Sequence, residues 1–302
     1  MRIRGLLAFV VVVGAAVTGC GTTVVAGTGG PGGTGGITSG SGPTSPVVEI
    51  PDCPNSLGTG PLDTAVPADD AAPSTPVGSP LITITQGTNS WVASPYTQPY
   101  DIAIYPDGTA IRTEEPGTTA DPLPELTIGL LDSCLVTRAV AEFGVLAQAD
   151  LGDPAITDQG ITSVTVHDSA GDVDIDVYAL GIGDEYVTGG QRDSRDQLTA
   201  LIGELRDGMT RTATWVPDRI RVSLLGNPTD PDSIATWPLP GSIKDAVNGS
   251  QRVPCEVFDG AAAAAIVTEL GRRPAGSSWT DGTDTVVLAI GGLVPGQGCF
   301  QS

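Results

Sequence analysis

The chain carries a single histidine, His167, so any Ser-His-Asp or Cys-His mechanism would have to use it. His167 ends the run Ile161-Thr-Ser-Val-Thr-Val-His167. Asp-Ser-Ala-Gly follows, and then Asp172-Val-Asp-Ile-Asp-Val-Tyr178. Asp172, Asp174 and Asp176 form an alternating acidic row, and hard cations such as calcium and magnesium take several carboxylate oxygens as ligands. The alternation is that of a strand, and two residues of strand advance about 7 Å, which is wide for one ion. The glycine and the distal glutamate of an EF-hand loop are missing. Neither GxSxG nor HExxH occurs.

The two runs read as a hairpin with a four-residue loop, pairing 167 with 172, 166 with 173, 164 with 175 and 162 with 177. Val164, Val166, Val173, Ile175 and Val177 then share the buried face, while His167 and Asp172 meet on the wet one. This predicts a surface histidine paired with an aspartate, and an acidic solvent face that discourages edge pairing.

Cys53, Cys134, Cys255 and Cys299 read as two disulfides, with no CxxC pair to suggest a zinc ribbon or a redox site. The expected pairs are Cys255–Cys299 and Cys53–Cys134. The first flanks a strand–helix–hairpin unit whose ends should meet. The second ties a loose segment to the first helix. Trp91, Trp215, Trp237 and Trp279 are widely spaced and read as core or interface residues rather than a sugar platform. Asp63, Asp69 and Asp70 lie in a Pro-rich stretch and read as solvating charges.

The fifth cysteine, Cys20, stands apart. Arg2 and Arg4 precede an apolar run from Gly5 to Val17, short of the ~20 residues that span a bilayer. Val17-Thr18-Gly19-Cys20 follows. This segment resembles the signal peptide and lipobox of bacterial lipoproteins. The resemblance implies export, acylation of the Cys20 thiol, cleavage just before it, and a lipid anchor in the cell membrane facing outside the cytoplasm. One acyl chain holds a membrane marginally and two hold it stably, since each buried CH₂ contributes about 0.8 kcal/mol.

Residues 21–47 carry no charged side chain and are rich in Gly, Ser, Thr and Pro, so they cannot bury enough apolar area to offset chain entropy. They read as a tether. The organisation expected is therefore a signal peptide at 1–19, a lipidated tether at 20–80, a first lobe at 81–210 and a second at 211–302. Formal net charge is −21, and loss of Arg2 and Arg4 with the signal peptide leaves 12 basic residues against 35 acidic ones. Such a surface disfavours nucleic acid and repels anionic headgroups. Cations, basic peptides and neutral ligands remain as partners.

Within the body, Leu81-Ile-Thr-Ile-Thr85 alternates as a strand, and Asp101–Tyr105 with Thr109–Thr113 reads as a hairpin around Pro106-Asp107-Gly108. Helices are expected at 133–148, capped by Asp132 or Ser133, at 195–207, capped by Ser194 in a box with Gln197, and at 259–270. Strands are expected at 219–224, 252–257 and 285–290. The fold class is α+β: short antiparallel strands with about three helices packed on one face, in one sheet or two small lobes. The tokens DGT, ITD, YAL and WPLP, at 107–109, 156–158, 178–180 and 237–240, resemble a loose group of exported lipoproteins of high-GC Gram-positive bacteria. That resemblance implies no activity. The function expected is a tethered binding or accessory module of the cell envelope, needing no cofactor and meeting an envelope protein or ligand. The alternative is a metal-assisted hydrolase using clustered aspartates.

Overall fold

The computed structural model describes residues 73–87, 100–114, 123–169, 171–226, 234–248, 253–271 and 278–299. They form an α+β fold of two mostly antiparallel sheets. The first sheet contains β1 (Ile82–Gln86), β2 (Ile102–Ile104), β3 (Thr109–Thr113), β4 (Leu126–Leu130), β5 (Ile161–Asp168), β6 (Gly171–Tyr178) and β7 (Thr210–Trp215), in the order β6-β5-β1-β2-β3-β4-β7. Helices α1 (Ser133–Leu146) and α2 (Gly189–Asp207) cover one face of it.

Alternation explains that packing. Ile82 stands opposite Ile104, and Ile84 opposite Ile102, and all four are completely buried. Fully burying each isoleucine is worth about 1.5–3 kcal/mol. Val164, Val166, Ile175 and Val177 extend the same apolar face, against Phe143 of α1 and Leu198, Leu201, Ile202 and Leu205 of α2. Part of the other face is covered as well. Tyr105, Ile111, Leu126, Ile128 and Trp215 pack with Val294, and the Tyr105 hydroxyl donates to the Pro295 carbonyl at 2.9 Å.

The second sheet contains β8 (Arg219–Gly226), β9 (Ile234–Thr236), β10 (Cys255–Asp259), β11 (Ser278–Thr280) and β12 (Thr285–Gly292), in the order β10-β8-β12-β11-β9. Among the described residues its parallel pair is β9 with β11. The short α3 (Ile243–Ala246) and α4 (Gly260–Leu270) supply Ile243, Ala263, Ile266 and Leu270 to its core. Trp237 and Trp279 meet edge to face in that core, 6.2 Å between ring centroids. After β11, the Asp281 carboxylate accepts the backbone N–H groups of Ile243, Thr283 and Asp284, which lowers its pKa and pins α3 to the turn.

Both sheets fall in one compact unit, and the chain passes between them at 216–218. The expected lobe boundary at 211 therefore falls inside β7, because β7 pairs with β4 and completes the first sheet. The expected hairpin of β2 and β3 forms, with Gly108 at φ +84°.

Helix α2 begins earlier than its sequence periodicity indicates. Its cap is Thr188, not Ser194: the Thr188 N–H donates to Gln191 Oε1 at 2.9 Å, and the Thr188 hydroxyl accepts the Gln191 N–H. Thr188-Gly-Gly-Gln191 is the same Ser/Thr-x-x-Gln pattern, but its two glycines are poor helix formers and concealed it. Ser194 instead bonds the Gly190 carbonyl inside the helix. Asp259 holds the cap position of α4 without a side-chain cap bond.

Cys255 and Cys299 form a disulfide closing a separation of 44 residues. Cys134 is also disulfide-bonded, and since Cys255 and Cys299 take each other, neither is its partner. Its expected partner, Cys53, lies outside the described residues. The chain-entropy model assigns about 4 kcal/mol to closing a loop of the Cys255–Cys299 length. Replacing both cysteines by alanine should lower the unfolding free energy by up to about that amount in chemical denaturation. No change would mean that the reduced chain keeps those two ends together without the bond.

Candidate functional site

The sequence candidates cluster on the β5–β6 hairpin, whose register is the expected one: His167 with Asp172, Val166 with Val173, Val164 with Ile175 and Thr162 with Val177. A two-residue period leaves only one register that buries all the valines. The polar face follows from the same rule. His167 Nδ1 lies 3.1 Å from Asp172 Oδ1, with both side chains about half exposed. The Thr165 hydroxyl donates to Asp174 at 2.9 Å, and the Ser163 hydroxyl to Asp176 at 2.6 Å. Each aspartate of the row is therefore engaged by the residue opposite it, rather than turned toward a common point. Among the described residues no three His, Cys, Asp or Glu side chains come together as a metal-ligand set.

Beside this hairpin the fold builds a groove of about 570 Å³, which sequence reasoning did not reveal. One wall is the end of α1 and the turn after it, from Leu146 to Asp153. The other is Asp174, Ile175 and Asp176 of β6, and Gln191 of α2 also lines the groove. Asp150, Asp153, Asp174 and Asp176 give it four carboxylates.

The turn is held rigidly. Gln191 Nε2 donates to Asp150 Oδ2 at 2.9 Å, and the Gly152 N–H donates to Asp150 Oδ1 at 3.0 Å. These donors stabilise the carboxylate and lower the Asp150 pKa, so it stays ionised. Gly152 has φ +64°, and a Cβ there would stand 2.7 Å from the Gln191 side chain, so a larger residue would be strained and would push Gln191 aside.

Behind the turn lies Arg195, a fully buried guanidinium. Nε donates to Asp184 Oδ1 at 2.5 Å, Nη1 to the Leu151 carbonyl at 3.2 Å, and Nη2 to the carbonyls of Tyr178 and Ala179 at 3.1 and 2.6 Å. Asp184 belongs to the 3₁₀ turn Asp184–Tyr186. One side chain thus joins α2, the groove wall, the end of β6 and that turn. Its sequence signal was its place on α2: Leu198, Leu201 and Leu205 mark the buried face, and Arg195 continues it at a spacing of three.

Trp215, Trp237 and Trp279 are core residues. Cys20, Cys53, Trp91, Asp63, Asp69 and Asp70 lie outside the described residues. Among the described residues no helix is long and apolar enough to cross a membrane. No protein-family model, curated protein or solved structure matches the chain.

Two substitutions should differ sharply. Arg195→Met leaves Asp184 Oδ1 and the Leu151 and Tyr178 carbonyls without the guanidinium and should cost about 3 kcal/mol of unfolding free energy, because one half of a buried ion pair is removed. His167→Ala breaks an exposed pair and should cost about 1 kcal/mol or less. Comparable losses in denaturant titrations would contradict this ranking. Calcium at millimolar concentration should shift the melting temperature by about a degree or less. A ligand at 100 times its Kd adds about 2.7 kcal/mol, so a shift of several degrees that disappears in Asp174→Ala would reveal an ion site instead.

Proposed function

We propose that the chain is a membrane-tethered extracytoplasmic lipoprotein whose folded body is a non-catalytic binding or accessory module of the cell envelope. The observation that carries this reading is the segment ending in Val17-Thr18-Gly19-Cys20, with its basic start, short apolar run and charge-free continuation through residue 47. Acylation of Cys20 supplies the anchor, and the low-complexity stretch gives the body reach from the membrane surface. The Cys255–Cys299 disulfide supports export, since such bonds persist in oxidising compartments.

The arrangement of the polar residues supports binding over catalysis. His167, Asp174 and Asp176 are each engaged across the hairpin by a neighbouring side chain. Their residue types are explained by the wet face of a two-stranded edge. Specificity then belongs to the shape and charge of the surface, of which the groove beside β6 is one shaped part.

Mass spectrometry of the mature amino terminus from the native host should find acyl chains on Cys20, and Cys20→Ser should move the protein from the membrane fraction to the soluble one. An unmodified Cys20 thiol, or unchanged membrane partition of Cys20→Ser, would overturn the anchor.

A further inference from the structure

Strand β6 is the edge of the first sheet, and its free backbone has a definite orientation. The His167 N–H donates to the Leu81 carbonyl and the Gly87 N–H to the Ile161 carbonyl, so the odd-numbered residues of β5 bond toward β1. The even-numbered residues of β5 therefore bond toward β6, where their partners are Gly171, Val173, Ile175 and Val177. The remaining residues of β6, Asp172, Asp174, Asp176 and Tyr178, point their N–H and C=O groups outward. The Tyr178 carbonyl agrees with this, since Arg195 reaches it from outside the sheet. Among the described residues no strand pairs with this edge.

The groove runs along that same edge. Ile175 from the apolar face and Asp174 and Asp176 from the polar face all line it, which requires it to follow the strand margin between them. Its far wall is the turn that Arg195 and Gln191 hold in place.

The geometry points to the β6 edge as a docking site for an extended cationic peptide segment, which adds to the sheet as a further strand. This inference rests on the reading of the body as a binding module and names its class of partner. Strand addition supplies main-chain hydrogen bonds, and alternate side chains supply specificity. On one face of the added strand the neighbours would be Asp172, Asp174 and Asp176. On the other they would be Ile175 with Leu146 and Ala147 from the groove. The segment that fits therefore alternates Lys or Arg with small apolar residues.

Charge excludes the competing occupants. A second copy of the chain would set two aspartate rows against each other, and like charges on facing strands destabilise the pair. Anionic lipid and nucleic acid meet the same repulsion from a chain of net charge −21.

The test uses the full chain and four probes: acetyl-Lys-Val-Lys-Val-Lys-amide, its block isomer acetyl-Lys-Lys-Lys-Val-Val-amide, the alternating peptide N-methylated on all three lysines and both valines, and spermidine. Binding is read by anisotropy of labelled peptide and by amide hydrogen exchange. The alternating peptide should bind about tenfold more tightly than the isomer or the methylated form, which is the scale of one lost anchoring interaction. It should weaken with salt and slow exchange at Asp172, Asp174 and Asp176. Asp174→Asn with Asp176→Asn should lower its affinity about tenfold, as loss of two exposed charge pairs would. Failure to bind, equal binding of the isomer or methylated peptide, equivalent displacement by spermidine, or unchanged exchange on β6 would each overturn the inference. A pull-down from envelope extract separates it from the broader reading. A partner captured equally by the native chain and the double variant would sustain the binding module and refute the edge.

Discussion

A guanidinium with no access to water must have its N–H groups answered by the protein, and Arg195 imposes that requirement on three parts of the chain at once. Asp184 supplies the countercharge. Leu151, Tyr178 and Ala179 supply carbonyls as acceptors. The distances involved allow little rearrangement, so the turn after α1, the end of β6 and the 3₁₀ turn take positions dictated by one residue of α2. Gln191, one helical turn earlier, repeats the arrangement at the surface by gripping Asp150. The capping box at Thr188 in turn places Gln191. The groove wall is therefore a consequence of how α2 starts and of what it buries.

The first sheet shows a second division of roles. Its middle strands are covered on both faces, by α1 and α2 on one and by Trp215, Val294 and the Pro295 carbonyl on the other. The β5–β6 hairpin extends beyond the second cover. Its apolar face still meets the helices, but its other face carries Ser163, Thr165, His167 and the three aspartates. Hydroxyls opposite carboxylates let that face pair internally without excluding water. The outcome is a regular strand edge whose outward backbone groups all come from acidic residues or Tyr178. Such an edge resists self-association while remaining open to a cation-bearing strand.

The hairpin register was legible because it depends on nothing beyond itself. Alternating Val and Ile over two runs leaves one pairing that puts every apolar side chain on one face, and the strands continue to Asp168 opposite Gly171, which shortens the expected four-residue loop by two residues. The inner faces of α1 and α2 were legible for the analogous reason at helical spacing. Where signals conflict or come from afar, the sequence is less legible: two glycines conceal the start of α2, and the boundary expected at 211 falls within β7 because the partner of that strand, β4, is distant in sequence.

By itself, the sequence determined the α+β class, the hairpin that sets His167 against Asp172, and the N-terminal pattern on which the proposed anchor rests. Only the tertiary structure decided that β6 is an edge, that a groove runs along it, and that Arg195 is interior. The physical reason is range. Periodicity and capping act between residues a few positions apart, so their signature is written in local spacing. Arg195, by contrast, draws its partners from residues 151, 178, 179 and 184, and the groove from residues 146 through 191, so neither exists until the packed core brings those segments together.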